Sequence, residues 1–175
     1  LGDHTITVTV TAPDGFTATD TRNISVDGSP NAPTVSILPR NPTTTSELKA
    51  MAWGSIDPEG DDVYYTYSWS VDEAEDATSE TRILDPAATA RGQIWTVTAT
   101  PWDSHGPGFP GEASVFIRNT APEVLGVTIT PDCVASNAIA TAVSNTTDID
   151  GDTVTLSYAW TVDGISGTGI PDSSI

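Results

Sequence analysis

Residues 56–72 read Ile56-Asp57-Pro58-Glu59-Gly60-Asp61-Asp62, then Val63-Tyr64-Tyr65-Thr66-Tyr67-Ser68-Trp69-Ser70-Val71-Asp72. In the second part, Val63, Tyr65, Tyr67, Trp69 and Val71 share one parity. Tyr64, Thr66, Ser68, Ser70 and Asp72 share the other. Side chains alternate faces along a strand, so the pattern predicts a half-buried strand with an aromatic inner face. The unit returns downstream, where Asp148-Ile149-Asp150-Gly151-Asp152 precedes Val154, Leu156, Tyr158, Trp160 and Val162. Gly60 and Gly151 stand 91 residues apart, and so do Trp69 and Trp160. An acidic loop and a Trp-centred strand, written twice in one register, predict a repeated domain.

Upstream, Ile6, Val8 and Val10 form an inward row in an alternating strand over 5–11, and Pro13-Asp14-Gly15 signals a turn. Ile24 and Val26 lie in a second strand over 21–26, which completes a hairpin. A lone two-stranded hairpin is marginal, so this one is expected to need a sandwich partner. Asp27-Gly28-Ser29-Pro30-Asn31-Ala32-Pro33 reads as a linker stiffened by its prolines. Val35 and Ile37, then Leu48, Ala50 and Ala52, make the next inward rows.

Beyond the Trp69 strand, residues 73–80 are polar and acidic, a loop or an edge strand. Ile83-Leu84 anchors a short strand, and 86–92 turns the chain. Trp95, Val97 and Ala99 repeat the Ile6, Val8, Val10 row, and Val115 and Ile117 close the domain. Asn119-Thr120-Ala121-Pro122 is a second linker, with Pro122 89 residues after Pro33, and Val127 and Ile129 open another domain.

The predicted class is all-β, with Ig-like sandwich repeats of about 90 residues, the natural unit for short strands and turns at this spacing. Residues 1–30 supply the last two strands of one repeat, 31–118 a complete repeat, and 119–175 the first half of a third. The two part-repeats together hold 87 residues, close to the repeat period. Two arrangements stay open. The chain is a window of a longer array, or the tail half of one copy is completed by the hairpin of a neighbouring copy. The start without Met also suggests a mature product or a piece.

Across 175 residues, 24 acidic and 6 basic side chains give a formal charge of −18. Such a polyanion repels nucleic acid and anionic lipid, so neither is an expected partner, whereas cations are. No apolar run reaches membrane-span length. Cys133 is the single cysteine, which excludes an internal disulfide. A buried small apolar residue is expected there, with an intermolecular bridge as the other reading.

The acidic loops are the candidate metal sites. Asp57, Glu59 and Asp61 alternate, as do Asp148, Asp150 and Asp152, and Gly60 and Gly151 let each loop turn sharply. Convergent carboxylates suit Ca²⁺, which takes six to eight oxygen ligands. In an Ig-like sandwich the loop before the third strand and the loop between the last two share a pole. That places Asp103 near Asp57, with Asp27 and Asn31 of the linker near both. The other reading of these Asp and Gly residues is as simple turn formers.

Tyr67-Ser68-Trp69-Ser70-Val71-Asp72 and Tyr158-Ala159-Trp160-Thr161-Val162-Asp163-Gly164 resemble the Trp strand of polycystin-type (PKD) repeats and related bacterial Ig-like modules. Thr5 to Gly15, with Asn23-Ile24-Ser25-Val26, resembles the closing hairpin of that family. The second acidic loop and the Asn-Ala-Pro linker are similar to cadherin-like repeats. The glycine-rich turn usual after the PKD Trp strand is missing at Asp72-Glu73, and the cadherin linker is reduced to Asn31-Ala32-Pro33. The resemblance implies tandem modules of secreted enzymes, surface adhesins and surface fibres.

Catalysis is not expected, since His4 and His105 are the only histidines and no nucleophile, zinc-protease or phosphate-loop motif occurs. Trp69, Trp160 and Trp95 are expected in the core. Trp102 is placed in a turn, packed over the domain junction or stacked on a sugar. Asn23-Ile24-Ser25 and Asn145-Thr146-Thr147 fit the glycosylation sequon. The expected role is a structural repeat of an extracellular microbial rod, fibre or filament, partnered by neighbouring copies. The alternative is an adhesion or accessory module that binds surface polysaccharide or protein.

Overall fold

The computed structural model describes residues 1–72, 74–76, 81–133, 138–162 and 165–166. The chain is all-β and falls into two compact units, Leu1–Arg118 and Asn119–Ile175.

In the first unit, β1 (Gly2–Thr11) and β2 (Thr17–Val26) form an antiparallel hairpin. Its turn is closed by the Gly15 N–H donating to the Ala12 carbonyl and the Phe16 N–H to Asp14 Oδ1. The register puts His4, Ile6, Val8 and Val10 on one face with Ile24, Arg22, Asp20 and Ala18. The other face is polar, with Thr5, Thr7 and Thr9 opposite Asn23, Thr21 and Thr19. Side-chain hydrogen bonds bridge all three of those pairs. The pairing is as expected, but the apolar row is not inward. Ile6, Val8 and Val10 are 54%, 57% and 65% exposed, because among the described residues no second sheet covers that face.

Residues 34–116 form two sheets. One has the order β3-β4-β7: β3 (Thr34–Leu38), β4 (Leu48–Trp53) and β7 (Ile83–Leu84). The other has the order β6-β5-β8-β9: β5 (Tyr64–Val71), β6 (Ala74–Asp76), β8 (Ile94–Trp102) and β9 (Gly111–Phe116). All pairs are antiparallel, and the connection from β4 to β5 crosses between sheets. The core lies between them, with Ile37, Leu48, Ala50 and Leu84 from one side and Trp69, Trp95, Val97, Val115 and Ile117 from the other. The parity of the Trp69 strand holds: Trp69 is buried, Tyr65, Tyr67 and Val71 are half-buried, and Tyr64, Thr66 and Ser68 are exposed. Both core indoles keep a partner, Trp69 Nε1 donating to the Thr81 carbonyl and Trp95 Nε1 to Gln93 Oε1. A buried N–H left alone would destabilise the core.

Where a glycine turn was missing, Asp72 takes φ 47°, a left-handed conformation that Asp tolerates better than most residues. Its Oδ1 accepts the Ile94 N–H, and its own N–H reaches the Ile94 carbonyl, which ties the exit of β5 to β8. The polar stretch after it contributes β6 as an edge strand; residues 73 and 77–80 lie outside the described residues.

In the second unit, β10 (Glu123–Thr130) and β11 (Thr141–Thr147) pair with an irregularity between Val124 and Gly126. Ala142, Ser144 and Thr146 are half-buried, and Ser144 Oγ lies 2.8 Å from Tyr158 Oη. Residues 154–160 keep the expected alternation, half-buried at Val154, Leu156, Tyr158 and Trp160 and exposed between them. Among the described residues they are nevertheless unladdered, and the pairing that follows them is β12 (Thr161–Val162) with β13 (Ile165–Ser166). In the first unit β8 supplies the ladder for the matching strand. No counterpart of β8 is among the described residues of this unit. Cys133 is exposed in a bend rather than buried.

Candidate metal centre

Asp57 begins a loop that its own carboxylate shapes. Asp57 Oδ1 accepts the N–H groups of Glu59 at 2.9 Å and Asp61 at 3.2 Å, and the Gly60 N–H reaches the Asp57 carbonyl. Gly60 has φ 89°, which a Cβ would disfavour. The second loop repeats this arrangement atom for atom. Asp148 Oδ1 accepts from Asp150 N at 2.9 Å and Asp152 N at 3.1 Å, Gly151 N reaches the Asp148 carbonyl, and Gly151 has φ 76°. An acidic residue two positions on then ties the loop to a linker in each unit. Glu59 Oε2 accepts the Gly28 N–H at 2.9 Å, and Asp150 Oδ2 accepts the Thr120 N–H at 2.7 Å.

A third such turn sits between β8 and β9. Asp103 Oδ1 accepts the N–H groups of His105 and Gly106, both at 2.7 Å. Asp57 and Asp103 are 3% and 4% exposed. In each, one carboxylate oxygen shapes the loop while Oδ2 is buried with no hydrogen-bond partner, and the same is true of Asp148 Oδ2. A buried carboxylate oxygen without a donor is unfavourable, and a cation is one remedy.

The linker brings in the remaining groups. Asp27 lies within 4.8 Å, ligand atom to ligand atom, of Asp57 and Glu59, and equally of Asp103 and His105. His105 Nδ1 is 3.1 Å from Asp27 Oδ1 and 3.4 Å from Asp61 Oδ2. The linker itself is pinned. Phe109 N–H donates to the Pro30 carbonyl, and a Cβ on Gly108 would overlap that carbonyl, so only glycine fits there.

Electrostatics report the crowding. Burial pushes the Asp27 carboxyl up; His105 opposes this, and the charges of Asp103, Asp57 and Glu59 add to it. Asp103 is held below the ordinary carboxylate range, first by the His105 and Gly106 backbone N–H groups. The Asp57 carboxyl is close enough to act on it as well.

Of the residues singled out in the sequence, the structure brings Asp57, Glu59 and Asp103 together with Asp27, while Asp61 approaches them through His105. Asn31 plays a different part, its Oδ1 accepting the Ile56 N–H at 2.6 Å and so bracing the loop. Asp148, Asp150 and Asp152 form their own loop in the second unit. His105 is not among the cation candidates that the sequence offers, although its place two residues after Asp103 is a signal for it. Its geometry is not that of a catalytic triad. Ser104 Oγ and Asp27 Oδ1 both lie against Nδ1, so the ring has no nucleophile on one nitrogen and carboxylate on the other. Trp102 ends β8 rather than sitting in a turn, half-buried, with Nε1 donating to Thr66 Oγ1 on β5.

No known protein family matches this chain, and a comparison with curated proteins found no match.

Proposed function

We propose that the chain is a run of tandem Ig-like modules, similar to PKD and cadherin-like repeats, from an extracellular structural rod or fibre of a microbial surface. The observation that carries this reading is the recurrence, 91 residues apart, of one loop: same hydrogen bonds, same left-handed glycine, same tie to a linker. Modules alike in their junction loops suit a chain built by repetition. The role is non-catalytic: sheets hold each module, and a divalent cation, Ca²⁺ by its preference for oxygen ligands, holds the linker to the loops at Asp27, Asp57, Glu59, Asp61 and Asp103. Asp148, Asp150 and Asp152 form the corresponding loop of the next module.

Hairpin β1–β2 supports the same reading. It has the plan of β8–β9, where Thr96–Ser114 and Thr98–Glu112 hydrogen bonds line the outer face and Trp95, Val97 and Ala99 line the inner one. In β8–β9 that inner row is at most 1% exposed; in β1–β2 it is bare. The bare face fits a half-sandwich of the kind that β10, β11 and residues 154–160 present, in an adjoining repeat or a neighbouring copy. Bare apolar strand faces otherwise favour aggregation.

Two measurements test this. Ca²⁺ should raise the melting temperature of the chain and chelator should lower it; an unchanged melting temperature removes the cation from the reading. Sedimentation at rising concentration should show self-association; a stable monomer at all concentrations removes the pairing of copies.

A binding module is the second reading, favoured by one observation. Tyr64 and Trp102 are direct cross-strand neighbours on the outer face of the β5–β8 pair, with Tyr64 56% exposed. Such a pair could stack on a sugar ring of a surface polysaccharide. Trp102→Ala should then abolish retention on that polysaccharide without unfolding the chain.

A further inference from the structure

The carboxylates at the junction divide into two overlapping groups. Asp27, Asp57 and Glu59 offer oxygen only, whereas Asp27, Asp103 and His105 offer an imidazole nitrogen as well. Asp27 belongs to both. Each group also contains a deeply buried aspartate, Asp57 at 3% and Asp103 at 4% exposure, whose Oδ2 has no hydrogen-bond partner. Each group thus includes a buried carboxylate oxygen that no hydrogen bond satisfies.

We propose that this is a two-position cation site bridged by Asp27, in which the Asp27–Asp103–His105 position takes a divalent transition ion of the Zn²⁺ or Co²⁺ type. It rests on the reading of the junction as a cation site and adds a second position and a second class of metal. Imidazole suits zinc and its neighbours in the first transition row, whereas calcium sites are built from oxygen. The spacing agrees. Bonds of 2.0–2.1 Å at tetrahedral angles place ligand atoms about 3.3 Å apart. His105 Nδ1 is 3.1 Å from Asp27 Oδ1 and 3.4 Å from Asp61 Oδ2. Asp27, Asp103 and His105 are thus the three protein donors, with Asp61 beside the imidazole but outside that group. Two cations separated by a shared carboxylate would offset the mutual repulsion of five acidic groups better than one.

The test uses the whole chain and Co²⁺ as probe, with calcium kept at saturating concentration. Visible absorption bands of bound Co²⁺ should appear at one equivalent. His105→Gln should weaken Co²⁺ binding at least tenfold and leave the Ca²⁺-induced rise in melting temperature in place. Glu59→Gln should do the reverse. His105 and Glu59 are both exposed, and circular dichroism of each variant checks its fold. Co²⁺ binding that survives His105→Gln, that is lost instead in His4→Gln, or that calcium displaces completely would overturn the proposal. A chain that binds Co²⁺ through His105 but gives no melting response to calcium would sink the calcium reading and leave this one standing.

Discussion

At the scale of single residues, Trp69 and the aspartates carry the argument. Trp69 is 2% exposed and fills the space between the sheets. Trp69→Ala should cost about 3–5 kcal/mol in denaturant unfolding, the usual range for a large aromatic removed from a packed core. Asp103 and Asp27 pull the pH dependence in opposite directions. Asp103 has a lowered folded value, so its contribution is present above the ordinary carboxylate range and is lost as pH falls through that lower value. Asp27 has a raised folded value, so its contribution is complete at low pH and is lost as pH rises through the raised value. At neutral pH, charged Asp27 therefore opposes folding. Asp27→Asn should raise the melting temperature in chelator and abolish the response to Ca²⁺. A mutant that melts lower in chelator would mean that the His105–Asp27 pair outweighs burial and carboxylate repulsion.

At the scale of elements, β1–β2 shows how far alternation specifies a strand. Alternation fixes which residues share a face, because the backbone alone sets that period. It leaves open whether the apolar face is covered. β8–β9 and β1–β2 have the same face pattern and opposite exposure. The two faces of β1–β2 should therefore respond differently to mutation. Val8→Thr with Ile6→Thr should leave the main thermal transition unchanged, since neither residue belongs to the 31–118 core, and should reduce self-association. Thr7→Val with Thr21→Val should not reduce it. Equal effects from both pairs, measured by sedimentation, would argue against docking through the apolar face. Residues 154–160 make the same point from the other side. Their parity was legible, but a ladder needs a neighbouring strand: the first unit has one in β8, and no counterpart is among the described residues of the second.

For the whole molecule, a formal charge of −18 works against compactness wherever acidic groups crowd. Monovalent salt screens such repulsion over a Debye length of about 10 Å at 0.1 M. Raising NaCl should therefore raise the melting temperature modestly and smoothly. On the proposed cation reading, Ca²⁺ at matched ionic strength should do more, and saturably, because a bound ion would neutralise the buried Asp57 oxygen directly. If NaCl and CaCl₂ curves coincide at equal ionic strength, screening suffices and no ion is held at the junction.

The sequence by itself determined the all-β class, the alternating faces, the Trp-centred strand and the two acidic loops. These depend on periods of two residues and on short turns, which neighbouring residues encode. The expected approach of Asp27 to Asp57 and Asp103 rested on sandwich topology, whereas only the tertiary structure decided that His105 joins them, that Asn31 braces the loop, and that Trp102 ties β8 to β5. Those outcomes depend on which loops share a pole of the sandwich and how closely the linker is pinned. Both are set by contacts between residues 25 to 80 positions apart, which no local pattern records.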